Sequence, residues 1–558
     1  MVGTTRSLSG MHFACALLLG TLVRGQDSPA SPLPQYDLVL RGGKLVDGRA
    51  RTIESADLAL RGGRIAAIGK ELPFGPGTAV LDLNGLCVSA GFIDLHTHVD
   101  SDIVREPLCQ NFLRMGVTTL ITGNCGGSMP DLEAHFARLE KGGIGPNYGS
   151  LIGLGTVRTA VLGTENRVPT EVELQRMRGL VETAMRAGAY GVSTGLIYVP
   201  GTYATRDEIA DLAGVAGRFG GIYASHVRYE GDQVLEAMRE ALYIGEHGQL
   251  PVHISHIKCT GKPNHGRAQE VIELLVQARA GGQRVSADQY MYDASSTGLD
   301  VLFPSEALAI GREQFGKRLR DDATFRAEMH AALLKKMDVV GFGDFRYARI
   351  ASAKGHPEVN GMLIPEAAQT LLQRNDRDAQ AETAIELFAA AAPARVTMVY
   401  HTMAEQDVER YLREDWIAVA SDAGIRAEVS ADKPHPRGCG NNPRLLGRYV
   451  RDRQVVDLPL AIHKMTSLPA EQFGLTDRGE LRTGAFADLV VFDPATILDE
   501  ATYTDPLLPP KGIAFVFVNG RLAVHDGKTT GVRAGMVLRH APGKPPVRPP
   551  VELPVEKR

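Results

Sequence analysis

The sequence predicts an α/β protein: a (β/α)8 TIM-type barrel beside a small β-sandwich domain built from both ends of the mature chain. Two observations carry this. The middle of the chain alternates short apolar, strand-like runs with amphipathic, helix-like ones eight times, while both ends carry β-branched runs broken by Gly-Gly and Asp-Gly turns. An open doubly wound sheet is the competing arrangement, because strand order is not written in the pattern. With 558 residues, 44% hydrophobic and 23% charged, the chain is long enough for a large core and a second module.

Residues 1–25 read as a signal peptide. Arg6 precedes an apolar run from Met11 to Val23 that is too short to span a bilayer, and the small residue Gly25 follows. Export, periplasmic or secreted, is the expectation, with no membrane span in the mature chain. Cleavage removes Cys15 and leaves Cys87, Cys109, Cys125, Cys259 and Cys439, an odd and sparse set that makes no disulfide scaffold. Residues 26–35 (QDSPASPLPQ) read as a linker and 36–90 as the first part of the sandwich. The barrel is expected over 91–483, with an insertion near 303–395 and VTMVYHTM as an extra strand after it. Residues 484–538 complete the sandwich, and 539–558 form a Pro-rich tail. A net charge of −4 without a dense basic block argues against a nucleic-acid partner and leaves a small-molecule substrate as the default.

The eight strand-like runs are GFIDLHTH, GVTTLITGNC, SLIGLG, AYGVSTGL, GGIYASH, LPVHISH, QRVSADQY and DWIAVASD. Barrel active sites sit at the C-terminal strand ends, and several of these ends carry ligand-type residues. The first run offers His96 and His98, two apart and so on one face of a strand. The second ends in Cys125, the fifth in His226, the sixth in His256 and the eighth in Asp422. Each alone has a bland reading as a buried thiol, a core histidine or a helix cap. Their common position is what points to a metal, and thiolate with imidazole suits zinc rather than magnesium or calcium. In HISHIK the pleat puts His256 and Lys258 on one face and His253 on the other, where it is read as structural. Asp94 and Asp100 carry no assigned role.

The segments GFIDLHTHVD, TTLITGNCG, GVSTGLIYVPG, YASHVR, ISHIK, VASDAG, HPRGCGNNPRLLGRYV and MTSLPAEQFGLTDRGELRTGAFADLVVFD together resemble the D-aminoacylase (N-acyl-D-amino-acid deacylase) branch of the amidohydrolase superfamily, over about Tyr36 to Leu538. The resemblance implies that Cys125, His226 and His256 hold a tightly bound zinc, with His96, His98 and Asp422 completing the site around a second, weaker metal. It implies that Lys258, Tyr290, Ser296 and Arg437 bind the substrate carboxylate. The fourth strand, Ser193-Thr194-Gly195-Leu196-Ile197, has no lysine to be carboxylated as a metal bridge, which leaves Cys125 as the substitute. Leu154 stands where many relatives have His, and Ala423 where Gly is common.

The expected reaction is zinc-dependent hydrolysis of the amide of N-acyl-D-amino acids to a carboxylate and a free D-amino acid. Metal-activated water attacks and Asp422 shuttles the proton. The alternatives are another amidase or dipeptidase on the same scaffold, and a non-catalytic binding protein of this fold.

Overall fold

The computed structural model describes residues 33–541. The expected signal peptide, most of the 26–35 linker and most of the 539–558 tail lie outside the described residues. Five strands open the chain: β1 (Leu38–Asp47), β2 (Thr52–Arg61), β3 (Arg64–Gly69), β4 (Ala79–Asp82) and β5 (Cys87–Ala90). β1 and β2 pair antiparallel from Leu38↔Leu60 to Asp47↔Thr52, and β2 turns into β3 through Gly62-Gly63, both in the left-handed region that hairpin turns require.

The barrel follows directly. Its strands are β6 (Phe92–Asp94), β7 (Val117–Thr122), β8 (Asn147–Ser150), β9 (Ile152–Gly153), β10 (Gly191–Gly195), β11 (Ile222–His226), β12 (Val252–Ile254) and β13 (Val285–Gln289). β8 and β9 are one strand interrupted at Leu151: the first half pairs with β7 and the second with β10. All these pairings are parallel, as crossover helices demand. Those helices begin at sequence-legible caps. Thr170 and Glu173 form a reciprocal capping box on Glu171–Ala187, and the Thr205 side chain caps Arg206–Arg218.

An excursion then leaves the barrel. β14 (Ser295–Gly298), β15 (Ala348–Ser352) and β16 (Thr397–Tyr400) form their own antiparallel sheet in the order β14-β16-β15. Phe315, Phe325 and Phe388 pack edge to face in its separate core. The insertion is therefore wider than 303–395, because its sheet recruits strands on both sides, and VTMVYHTM supplies β16. The last barrel strand, β17 (Ile417–Val419), pairs with β13. Closure onto the first strand runs through a parallel bridge between Thr97 and Ala423, with His98 N donating to Ala423 O at 2.8 Å and Asp422 N to His96 O at 2.9 Å.

β18 (Leu489–Phe492), β19 (Ile513–Val518), β20 (Arg521–His525) and β21 (Lys528–Thr529) return to the N-terminal strands, β18 pairing with β5. Nine strands from the two ends thus form a separate sheet domain, in which Leu40, Leu58 and Ile65 share a core with Leu489, Val491 and Phe517. The fold is a TIM-type barrel with this sheet domain beside it. Among the described residues no helix is long and apolar enough to cross a membrane.

Candidate metal centre

The strands end earlier than the sequence pattern suggests. β6 stops at Asp94 and β12 at Ile254, so His96, His98 and His256 lie beyond regular strand. What aims the ligand-type side chains inward is backbone conformation: Cys125 (φ 50°), His256 (φ 37°) and Asp422 (φ 51°) all adopt left-handed backbone. Such conformations cost about 1–3 kcal/mol each in non-glycine residues and persist where the surroundings over-determine them. For Cys125 those surroundings include Ser193 of β10, whose Oγ accepts from Gly126 N at 3.1 Å, and Gly195, where a Cβ would stand 2.2 Å from Cys125 O.

Three overlapping groups place one ligand atom per residue within 4.8 Å of one another: His96–His98–Cys125, Cys125–His226–His256 and His96–His256–Asp422. Cys125 Sγ lies 3.5 Å from His226 Nδ1, 3.5 Å from His256 Nε2 and 3.3 Å from His96 Nε2. Ligands arranged tetrahedrally at the usual Zn–S and Zn–N lengths stand roughly 3.3–3.6 Å apart. The distances to the Cys125 sulfur therefore suit a zinc-type cation. His98 Nε2 meets Asp422 Oδ1 at 2.9 Å, and Arg437 Nη1 meets Asp422 Oδ2 at the same distance.

Burial lowers His226 to about 4 and His256 well below its ordinary value, which keeps both imidazoles in the neutral form that ligates. Burial, reinforced by Asp422, pushes the Cys125 thiol well above its ordinary value, so a bound cation has to supply the charge that makes it a thiolate. Burial opposes ionisation of Asp422 too, but Arg437, His256 and His96 outweigh it and hold the carboxyl well below its usual range.

A cavity of about 1010 Å³ opens over these residues, with Lys258, Ser296 and Arg437 on its wall. Lys258 Nζ is 2.7 Å from His256 Nδ1 and donates to Glu230 Oε1 at 2.6 Å. Ser296 sits on β14, where its hydroxyl donates to Met398 O at 2.8 Å. Tyr290 lies behind the wall rather than on it: its hydroxyl turns to Met403 and its ring faces Arg437 at 4.6 Å and Lys258 at 5.6 Å. Leu154 is in the barrel core, off the cavity, and Ala423 is the buried partner of Thr97.

Around these lie supporting residues that the sequence reading did not single out, Asp288 and Glu230, and others that it left structural or without a role, His253, Asp94 and Asp100. Asp288 of β13 accepts from His256 N at 2.8 Å, meets His253 Nε2 at 2.7 Å and lies 3.4 Å from His96 Nδ1. Burial opposes its ionisation, yet His96 and His253 outweigh that and hold it below its ordinary value. His253 is thus a brace on the far side of Asp288. Asp94 accepts from Ser421 N and His96 N, stitching first strand to last, and burial pushes its carboxyl up to about 7. Asp100 accepts from Thr122 Oγ1 at 2.8 Å. Glu230, four residues after His226, lies 3.6 Å from its Nε2. All five described cysteines are free.

The amidohydrolase family model matches residues 79–524. The chain belongs to the amidohydrolase family. This amidohydrolase is 37% identical to the N-acyl-D-aspartate deacylase of Alcaligenes xylosoxydans xylosoxydans over 93% of its own length and 96% of the relative's. It is similar to a D-aminoacylase crystal structure, with 33% identity, a TM-score of 0.77, and coverage of 90% of this chain and 100% of the other. It is also similar to the N-acyl-D-glutamate deacylase of Bordetella bronchiseptica, solved with zinc and a phosphonate mimic of the tetrahedral intermediate: 32% identity, TM-score 0.75, 91% of this chain and 100% of that one.

Proposed function

We propose that this amidohydrolase is an exported, zinc-dependent N-acyl-D-amino-acid deacylase, which releases a carboxylate and a free D-amino acid. The observation that carries it is the convergence of Cys125, His226 and His256, with both imidazoles 3.5 Å from the sulfur, beside a carboxylate, Asp422, held by Arg437. Cys125, His226 and His256 hold the tight zinc; His96, His98 and Asp422 offer a second, weaker position. The names of its relatives support the D-amino-acid substrate, and the segment 1–25 supports export.

A zinc ion held there supplies Lewis acidity, lowering the pKa of a water from about 15.7 to about 7 and drawing charge from the amide carbonyl. Asp422, an ionised carboxylate on the cavity wall, takes the proton of the attacking water as the C–O bond forms. As the C–N bond breaks, Asp422 returns that proton to the leaving nitrogen. Arg437, Lys258 and Ser296 fix the α-carboxylate from the cavity wall, and the Tyr290 ring backs the two cations.

Zinc quantitation of the purified protein, beside rates on N-acetyl-D-amino acids, N-acetyl-L-amino acids and dipeptides, tests the reading. The expected result is at least one tightly held zinc and hydrolysis confined to the N-acyl-D series. A preference for L substrates or dipeptides makes it a different amidase, and a mature N-terminus other than near Gln26 removes the export assignment.

A further inference from the structure

Most cations around the catalytic cavity have an acidic partner. Lys258 has Glu230 at 2.6 Å, Arg437 has Asp422 at 2.9 Å and Arg395 has Asp300 at 3.4 Å. Arg426 differs. It lines the same cavity and is half-buried, yet among the described residues it forms no ion pair. Its Nε is buried without a partner, and Nη1 reaches only its neighbour's carbonyl, Ile425 O, at 3.4 Å. Burial pulls this guanidinium below its ordinary value. Leaving a partly buried cation unpaired is costly unless something else completes it.

The chain also builds a seat for this side chain. Asn111, itself buried, ties two loops together by donating from Nδ2 to Gly438 O at 2.8 Å and Gly424 O at 3.3 Å, while its Oδ1 accepts from Arg426 N at 3.2 Å. Gly438 makes room for the stem, since a Cβ there would stand 2.8 Å from Arg426 Nε. The arginine beside that glycine, Arg437, is the one that grips Asp422. Of the three guanidiniums held at this cavity, Arg395 and Arg437 are matched to carboxylates of the protein and Arg426 is not.

We infer that Arg426 receives a second carboxylate of the substrate, so that the preferred substrates are N-acyl-D-amino acids carrying two carboxylates rather than one. The inference rests on the deacylase reading, in which Lys258, Ser296 and Arg437 take the α-carboxylate and leave Arg426 for another anion. The second carboxylate belongs to the amino-acid side chain or to a diacid acyl group; a planar guanidinium suits either through paired N–H···O bonds.

The test uses the full-length zinc enzyme with N-acetyl-D-methionine, N-acetyl-D-aspartate, N-acetyl-D-glutamate and N-succinyl-D-methionine. At least one diacid is expected to exceed N-acetyl-D-methionine in kcat/KM by about tenfold or more. Preference for the aspartate or glutamate substrate assigns the side chain; preference for the succinyl substrate assigns the acyl group. Arg426→Gln is expected to cut the diacid-to-neutral ratio by about tenfold or more, mainly through KM. Arg426→Lys, which keeps the charge but loses the fork, falls between and serves if the glutamine variant loses its zinc or its fold. A wild-type preference for the neutral substrate overturns the inference. So does an equal loss on all four substrates in either variant, which would make Arg426 an α-carboxylate or structural group. Absence of wild-type turnover on every N-acyl-D-amino acid overturns the deacylase reading, and this inference with it.

Discussion

The two halves of the metal centre are built to different standards. In the inner half, His256 is held at its backbone by Asp288 and met at Nδ1 by Lys258, and both His226 and His256 lie 3.5 Å from the Cys125 sulfur. In the outer half, the His98 side chain is 39% exposed, and its ring is hydrogen-bonded to Asp422 and meets the His96 ring edge-on at 5.3 Å. His96 joins the two: it is fully buried, 3.3 Å from Cys125 Sγ and 3.4 Å from Asp288 Oδ2. The difference teaches that grip on a cation here is graded by what braces each ligand, since ligand atoms gather on both sides of Cys125: with His226 and His256 on one, with His96 and His98 on the other.

The comparison is broken most severely at Cys125, which belongs to both halves. Cys125→Ala is expected to lose the bound zinc and with it about a thousandfold or more of kcat/KM. A full equivalent of zinc in that purified variant would remove the thiolate from the coordination set. Asp422→Asn comes next, because it keeps the inner half whole while removing the proton acceptor. It should retain the tight zinc and lose about 10²–10⁴-fold in kcat. A kcat near that of the wild type would take the proton transfer away from Asp422.

The inner half was the more legible in the sequence, although not always for the right reason. Cys125, His226 and His256 all stand at or just past the ends of runs that read as strands, as Asp422 of the outer half does, and a barrel gathers such ends at one mouth. The pleat argument for His256 picked a side chain that the structure does bring to the cluster, but β12 ends at Ile254 and the residue reaches it with a left-handed φ of 37°. Asp288 was illegible because its importance comes from partners on other strands: it lies beside His96, nearly two hundred residues earlier, and no local pattern records that contact. Arg426 sits in a loop whose seat is made by Asn111, 315 residues earlier in sequence. The insertion's limits were missed for a similar reason, since β14 reads as a polar Ser/Thr stretch until β16 pairs with it.

Bracing can be separated from ligation by changing residues that touch no cation themselves. Asp288→Asn keeps the shape but removes the charge that orients the His96 and His256 elements, and zinc affinity is expected to fall about ten- to hundredfold. Competition with a chelator of known affinity measures this, and an unchanged zinc Kd would mean that left-handed backbone alone positions the inner half. The smallest effect is expected at His98. His98→Ala should come through dialysis with the same tight zinc as the wild type, while losing the additional, weaker equivalent on metal titration. The reasoning is geometric: no member of the Cys125–His226–His256 group leans on His98, whose ring contacts are with Asp422 and His96. If His98→Ala instead loses its zinc as readily as Cys125→Ala, the two halves act as one site, and the grading by bracing is wrong.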